Sequence, residues 1–293
     1  MPPSVRSPIC PPPAPQAVAG ATHDKPNMLR SLNRLFRPAA PAANAARVPE
    51  GQRWYVVGDI HGRRDLFEAL ASAIDADDAA SAPAETAVVL LGDLVDRGPD
   101  SAGVIACARA WQHRRVVRLL AGNHEEMFLE SFADAEMLRH FLRHGGRETV
   151  LSYGIDRTRY NALSLEELQA EMRRIVPADD RAFLADAEEW IEAGDYLLVH
   201  AGINPAVPFA EQRRSDLLWI RNRFLDHPEA FSHVVVHGHT IFDEVEDTGT
   251  RIGIDTGAYR TGRLTALVLE GSARRIIQAV EREGAIAIEH SGV

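Results

Sequence analysis

Downstream of Arg53 the chain repeats a simple unit: a short apolar run, a Gly or Ala followed by a polar cluster, then a stretch of helical period. Five runs carry the argument. They are residues 54–57 before Gly58-Asp59, 88–91 before Gly92-Asp93, 116–120 before Ala121-Gly122-Asn123-His124, 196–199 before His200, and 234–236 before His237-Gly238-His239. Each is short, apolar apart from Arg118, and closed by turn residues, the pattern of a buried strand. Helices are predicted at 64–74, where Leu66, Leu70 and Ile74 share a face, and at 100–112. Strands alternating with helices define an α/β layered fold, in which ligands bind beyond the carboxyl ends of the strands. All five polar clusters lie at that end.

Residues 125–192 carry a different pattern, nearly continuous helix without strand signals, and are read as a helical insertion between two strands. Ser164-Leu165-Glu166-Glu167 is a capping-box start, Leu168, Met172 and Ile175 follow at helical spacing, and Pro177 marks the end. Strand-like runs at 251–254 and 264–269, around an Asp255-Thr256-Gly257 turn, return the chain to sheet. No internal repeat is visible. Residues 1–50 hold 11 of the 17 prolines, including Pro11-Pro12-Pro13, and are expected to form a disordered leader ahead of a catalytic domain at 51–293. Within the leader, residues 28–36 make a short basic amphipathic segment, read as part of the tail, and Met28 is a second candidate start. A basic start followed by an apolar stretch of 7–15 residues, the mark of a secretory signal, is not found.

Composition narrows the class. A chain of 293 residues with 45% hydrophobic and 25% charged positions can bury a sizeable core, and no apolar run approaches the ~18 residues of a membrane helix. No integral membrane association is therefore expected. The net charge is -10, and because residues 1–50 carry +4 the remainder carries -14. That balance argues against a nucleic-acid binder working by broad phosphate neutralisation. With only Cys10 and Cys107, neither a disulfide framework nor a thiolate zinc site can be built, and a reducing cytoplasm is the expected location.

The chemistry lies in the polar clusters taken together. Any one of them reads as a strand-end turn, but a single chain placing aspartates, an asparagine and histidines directly after buried strands gathers metal-ligand side chains at one sheet edge. Carboxylate and amide oxygens mixed with imidazole nitrogens, without thiolate, suit manganese, iron or zinc better than calcium. There are more ligands than one ion needs, which points to two ions sharing a carboxylate. Two metals ~3.5–4 Å apart clamp the attacking and leaving oxygens of an in-line displacement and make hydroxide available near neutral pH. Phosphate-ester hydrolysis is the chemistry that fits.

Gly58-Asp59-Ile60-His61-Gly62, Gly92-Asp93-Leu94-Val95-Asp96-Arg97-Gly98 and Gly122-Asn123-His124-Glu125, followed by separate His200 and His239, resemble the motifs of the calcineurin-like metallophosphoesterases, and within them the phosphoprotein phosphatase branch. The resemblance runs from about Trp54 to Leu269. It implies a central β-sandwich flanked by helices, and two divalent cations, manganese first with iron or zinc as alternatives. Asp59, His61 and Asp93 would hold one ion and Asp93, Asn123, His200 and His239 the other, with Asp93 bridging. His124 would protonate the leaving alkoxide, oriented and kept cationic by Asp96. Arg97 and a second arginine would hold the phosphate together with Asn123. Leu217-Leu218-Trp219-Ile220-Arg221 resembles the segment that supplies the second arginine in small bacterial and phage members, with Arg223 as competitor.

Two features separate branches. Nucleases and broad phosphodiesterases of the superfamily close with Gly-His-x-His, whereas Gly238-His239-Thr240 is followed here by Ile241. His237 lies two residues before His239, so strand alternation puts both on one face; the family pattern selects His239 and leaves His237 a packing role. Asp96-Arg97-Gly98 belongs to the protein phosphatase branch. The leading expectation is a phosphomonoesterase acting on phosphoserine and phosphothreonine in proteins, with phosphotyrosine accepted more slowly. The alternative is a symmetrical bis(5′-nucleosyl)-tetraphosphatase, whose members commonly alter the Asp of Asp-Arg-Gly and carry Gly-Asn-His-Asp; Asp96 and Glu125-Glu126-Met127 favour the phosphatase. A degenerate binding domain would have lost several of these residues. Selectivity is expected from the insertion, whose Arg139, Arg143, Arg147, Arg173 and Arg174 are candidates to meet acidic phosphopeptides.

Overall fold

A computed structural model describes residues 46–292. The leader up to residue 45, with Met28 and the 28–36 segment, lies outside the described residues. The expected boundary at residue 50 moves, because Val48 is buried and donates its N–H to Gly271 O, while Arg47 O accepts from Asp195 N. An apolar residue between prolines and charges gave no pattern to read, yet it packs.

Eleven strands form two sheets. The first runs β11-β10-β9-β1-β2-β3, with β1 (Gln52–Val57), β2 (Glu85–Leu90) and β3 (Val117–Leu119) parallel. β9 (Arg263–Glu270) pairs antiparallel with β1, and β10 (Ala273–Arg282) and β11 (Ala285–Gly292) continue that half. The second runs β4-β5-β6-β8-β7, with β5 (Tyr196–Val199), β6 (Val234–His237) and β8 (Arg251–Gly253) parallel between antiparallel edges β4 (Trp190–Ala193) and β7 (Glu246–Asp247).

Strand alternation divides the core into layers. Tyr55, Val57, Val88 and Leu90 join one cluster with helices α1 (Arg64–Ala80) and α2 (Ser101–Gln112). Val56, Val89 and Leu91 face the other way and meet Leu198, Val236, Ile252 and Ile254, which closes the β-sandwich. Leu197, Val199 and Val235 pack outward against Leu217, Ile220 and Phe224 of α9 (Arg214–Trp219) and the turn after it.

The differences from expectation have local causes. α1 runs on to Ala80 because Asp75, Asp77 and Asp78 in its last turns are tied to Trp111 and Arg115, to Tyr55 and Arg275, and to Arg53. The insertion is helical only to Ala185: α3 (Asn123–Glu130), α4 (Ala135–Phe141), a π turn at Leu142–Gly146, α5 (Arg147–Ser152), α6 (Arg157–Ala162), α7 (Leu165–Ile175) and α8 (Ala178–Ala185). Residues 190–192, expected to be helical, start β4 instead, its exposure alternating over four residues only. The β10–β11 hairpin was not read at all. Glu283 and Gly284 turn it with φ of 52° and 81°, the backbone of a two-residue hairpin loop.

Candidate metal centre

The strand ends converge because β1, β2 and β3 are parallel in one sheet and β5, β6 and β8 in the other. Gly92, at φ 97°, lets the chain after β2 turn against the end of β3: a Cβ there would lie 2.7 Å from Gly122 N. Among the described residues six non-glycine ones have left-handed backbone, and five of them, His61, Asp93, Asp96, Arg97 and His239, belong to the predicted site. Such conformations persist where surrounding contacts over-determine them.

Asp93 is central. Its Oδ2 lies 3.5 Å from His61 Nε2 and 3.9 Å from His124 Nε2, while Oδ1 lies 3.5 Å from His200 Nε2. One carboxylate thus faces two groups, His61 with His124 and His200 with His239, whose donor atoms converge within 4.8 Å. Asn123 Oδ1 stands between His200 Nε2 at 3.0 Å and His239 Nδ1 at 2.8 Å. Asp59 is turned differently. Its carboxylate accepts the His239 N–H at 3.0 Å, abuts Asp255, and belongs to neither three-residue group.

The donor chemistry fits cations. His61 donates from Nδ1 to Val95 O at 2.8 Å and His200 from Nδ1 to Leu91 O at 2.7 Å, which leaves both Nε2 atoms as lone pairs; that of His200 faces the oxygens of Asn123 and Asp93, while that of His61 takes an Arg97 N–H. Burial pushes His61 and His200 below the usual imidazole range, and the nearby Asp93 offsets this only in part. Burial raises Asp59 well above the carboxylate range, with Asp255 and Asp93 adding repulsion, and lifts Asp255 to about 6. Asp93 is the exception: burial opposes its charge, but His200, His124, His61 and His239 hold it well below the usual range. Acceptors facing acceptors among buried carboxylates is the environment that two divalent ions compensate.

His124 and Asp96 form a separate pair, Nδ1 to Oδ2 at 2.6 Å, both buried. Burial works against the charge on His124, but Asp93 and Asp96 prevail and raise it above the usual range. Arg97 sends Nη1 to His61 Nε2 at 2.7 Å and Nη2 to His124 Nε2 at 2.8 Å, and its guanidinium lies 4.9 Å from the Tyr259 ring centre. Arg221 reaches His239 O at 3.2 Å and Thr240 Oγ1 at 3.3 Å. Arg223 points elsewhere, lining a depression with Asn204, Glu211 and Asp216.

His237 does not share the face of His239. β6 ends at His237, and the left-handed turn at His239 breaks the alternation, so His237 packs on Phe224 and Phe242 while His239 meets His200. Of the insertion's arginines, Arg139 pairs with Glu136, Arg147 with Glu148, Arg174 with Glu171, and Arg173 with Phe132 O. These contacts lie within the insertion, while Arg139 and Arg174 stay exposed, as does Arg143, and Arg147 is half-buried.

Glu125 and Asp255 take roles that the motifs containing them do not assign. Glu125, 1% exposed, accepts N–H bonds from Gly122 at 3.0 Å, Asp93 at 2.8 Å and Leu94 at 2.7 Å, and so ties the end of β2 to that of β3. Asp255 follows β8 as Asp59 follows β1, and that repeated strand-then-Asp pattern was its signal.

The class this geometry defines is a metal-dependent hydrolase. The chain belongs to the calcineurin-like phosphoesterase family, whose profile matches residues 53–261, and that family uses a dinuclear metal site. Serine/threonine-protein phosphatase 1 of Salmonella typhimurium is 29% identical over 230 residues, covering 74% of this chain and 93% of the relative. A symmetrical bis(5′-nucleosyl)-tetraphosphatase of Acidovorax is 34% identical over 151 residues, 52% of this chain and 44% of the relative. Among solved structures, one provisionally described as a diadenosine tetraphosphatase superposes with a TM-score of 0.54 at 21% identity, covering 84% of this chain and 98% of the other, a likeness of fold. Among the described residues no helix is long and apolar enough to cross a membrane.

Proposed function

We propose that the protein is a phosphomonoesterase that removes phosphate from serine and threonine side chains of cytoplasmic proteins, with phosphotyrosine a slower substrate. The observation that carries this reading is the buried His124–Asp96 pair. A serine or threonine alkoxide is a very poor leaving group and has to be protonated as it departs, whereas a nucleoside diphosphate leaves readily without a proton. An oriented imidazole is therefore most useful for the phosphomonoester.

Two divalent cations, manganese by preference, would be held by Asp59, His61, Asp93, Asn123, His200 and His239, and when bound they supply a nucleophilic hydroxide and neutralise phosphoryl charge. Asp93, with one oxygen toward each imidazole group, would take part in holding both ions. Arg97, whose fork lies against Nε2 of His61 and of His124, would turn to the phosphate oxygens when substrate is bound, and Arg221 approaches from the His239 side. His124 delivers its Nε2 proton to the leaving oxygen, and Asp96 holds the ring by Nδ1.

The test is a hydrolysis panel on the manganese-loaded protein with a phosphothreonine peptide, a phosphotyrosine peptide and diadenosine tetraphosphate. The expected kcat/KM is at least ~10-fold higher for phosphothreonine than for the dinucleotide, as loss of acid catalysis alone is worth ~10²-fold or more. Preferential symmetrical cleavage of the dinucleotide would reverse the substrate assignment.

A further inference from the structure

Asp96 and Arg97 both hold left-handed backbone, at φ of 73° and 69°, and their support comes from outside the strand-end loops. It comes from the helical insertion. Thr149, in α5, has one proton to give and two lone pairs to fill. Its proton goes to Asp96 Oδ1 at 2.6 Å, and its oxygen accepts the Asp96 N–H at 2.8 Å. The second lone pair takes the Ser101 hydroxyl at 2.9 Å, and Ser101 Oγ in turn lies 3.0 Å from Asp96 N. Asp96, Ser101 and Thr149 are all 0% exposed, so no solvent competes for these bonds.

One carboxylate oxygen of Asp96 is thus fixed by Thr149 while the other meets His124 Nδ1. The neighbouring residue is held by the same insertion. Gly145, at φ 110° in the π turn, accepts the Arg97 N–H at 3.1 Å, and a Cβ on it would stand 2.7 Å from Arg97 Cγ. The π turn and α5 therefore both pack on the Asp96-Arg97 corner.

We propose that Thr149 is a positioning residue, whose hydroxyl fixes the Asp96 carboxylate so that Asp96 in turn sets the His124 ring. The insertion is then a working part of the reaction site. Thr149 touches no substrate; it acts through Asp96. Only the kinetic consequence rests on His124 being the proton donor.

The experiment uses the full chain loaded with manganese for kinetics and with zinc, which is diamagnetic, for NMR. Thr149→Val keeps the branched shape and removes the hydroxyl; Thr149→Ser restores it. The His124 Nδ1–H proton resonance, assigned by its loss in His124→Asn, is expected to move upfield and broaden in Thr149→Val and to return in Thr149→Ser. Thr149→Val is expected to lower kcat on an alkyl phosphate by about 10-fold but on p-nitrophenyl phosphate by less than about 3-fold, with KM nearly unchanged. An unmoved resonance overturns the proposal, as do equal rate losses on both substrates when His124→Asn itself discriminates between them. If His124→Asn costs the same on both, the acid role falls, and the resonance alone decides Thr149. Should Thr149→Val fail to fold, Ser101→Ala removes the hydroxyl that buttresses Thr149 and is expected to displace the same resonance less; no displacement there overturns the proposal.

Discussion

Replacing Glu125 by alanine removes the carboxylate that ties two strand ends together, and the structure allows its cost to be set against its gain. The loss is of acceptors: the N–H groups of Gly122, Asp93 and Leu94 are left without partners, with Val95 N at 3.3 Å a weaker fourth. Each buried N–H left unmade costs ~1–3 kcal/mol, so the three strong ones amount to ~3–9 kcal/mol. The gain is relief of a buried charge. Burial and then the nearby Asp93 lift Glu125 to about 7 from the usual 4.5, a shift on the order of 3 kcal/mol. At the midpoint of that range, ~6 kcal/mol, the acceptors win by ~3 kcal/mol, lowering Tm by roughly 6–12 °C in a domain of this size. Asp93 should suffer with it, because its left-handed backbone at φ 50° is held through the same N–H. Thermal unfolding with and without manganese, beside elemental analysis of the purified variant, measures both effects. A Tm within ~2 °C of the parent with full metal content would show that water or backbone movement replaces the carboxylate at no cost, refuting the bookkeeping.

Other outcomes follow from the same geometry. Asp93→Asn should reduce metal content at both positions and His61→Ala chiefly at one, read as metal per chain by elemental analysis; equal occupancy in both variants would remove these residues from the ligand set. A chain beginning at Ala46 should match the parent in stability, while one beginning at Glu50 should lose ~2–4 kcal/mol in urea unfolding, the worth of a buried Val48 with its bonds to Gly271 and the lost bonds of Asp195 and Tyr196. Asp77 is held below the usual carboxylate range by Arg275, against the cost of burial, with Tyr55 assisting, and Glu270 likewise by Arg53. Depressed acids stabilise fully above their unfolded values and lose that contribution as the pH falls toward their folded ones, so stability should decline below about pH 4 and Asp77→Asn should flatten the decline. An unchanged slope of urea midpoint between pH 5 and 3 would remove Asp77 from the account.

Much of the site was legible because each candidate metal ligand lies within a few residues of the end of a strand, and a buried parallel strand is a strong pattern. Asp93, Asn123, His200 and His239 are found together for that reason, and Arg221, from a segment similar to known ones, lies at the His239 side where Arg223 does not. The resemblance also implied the sandwich, which the two facing sheets display. What remained hidden has a common physical character. Thr149 and Glu125 act through hydrogen bonds to backbone and to one carboxylate, and nothing in a threonine on a helix or a glutamate after a histidine says which distant N–H it will meet. β4 is too short for its alternation to stand out, and the β10–β11 hairpin depends on a turn whose first residue, Glu283, is not one that favours left-handed backbone. The tilt of Asp59 toward His239 N–H likewise depends on where a different strand ends.

The first and last halves of the chain contribute to one centre, and this fixes when the centre can exist. During synthesis Asp59, His61, Asp93 and Asn123 emerge well before His200 and His239, and β1 sits in its sheet between β2 and β9, a strand that begins only at Arg263. A ribosome-bound fragment therefore offers carboxylates and one imidazole group without the second, on a sheet still lacking a central partner. The six side chains are thus expected to come together only once β9 has docked beside β1.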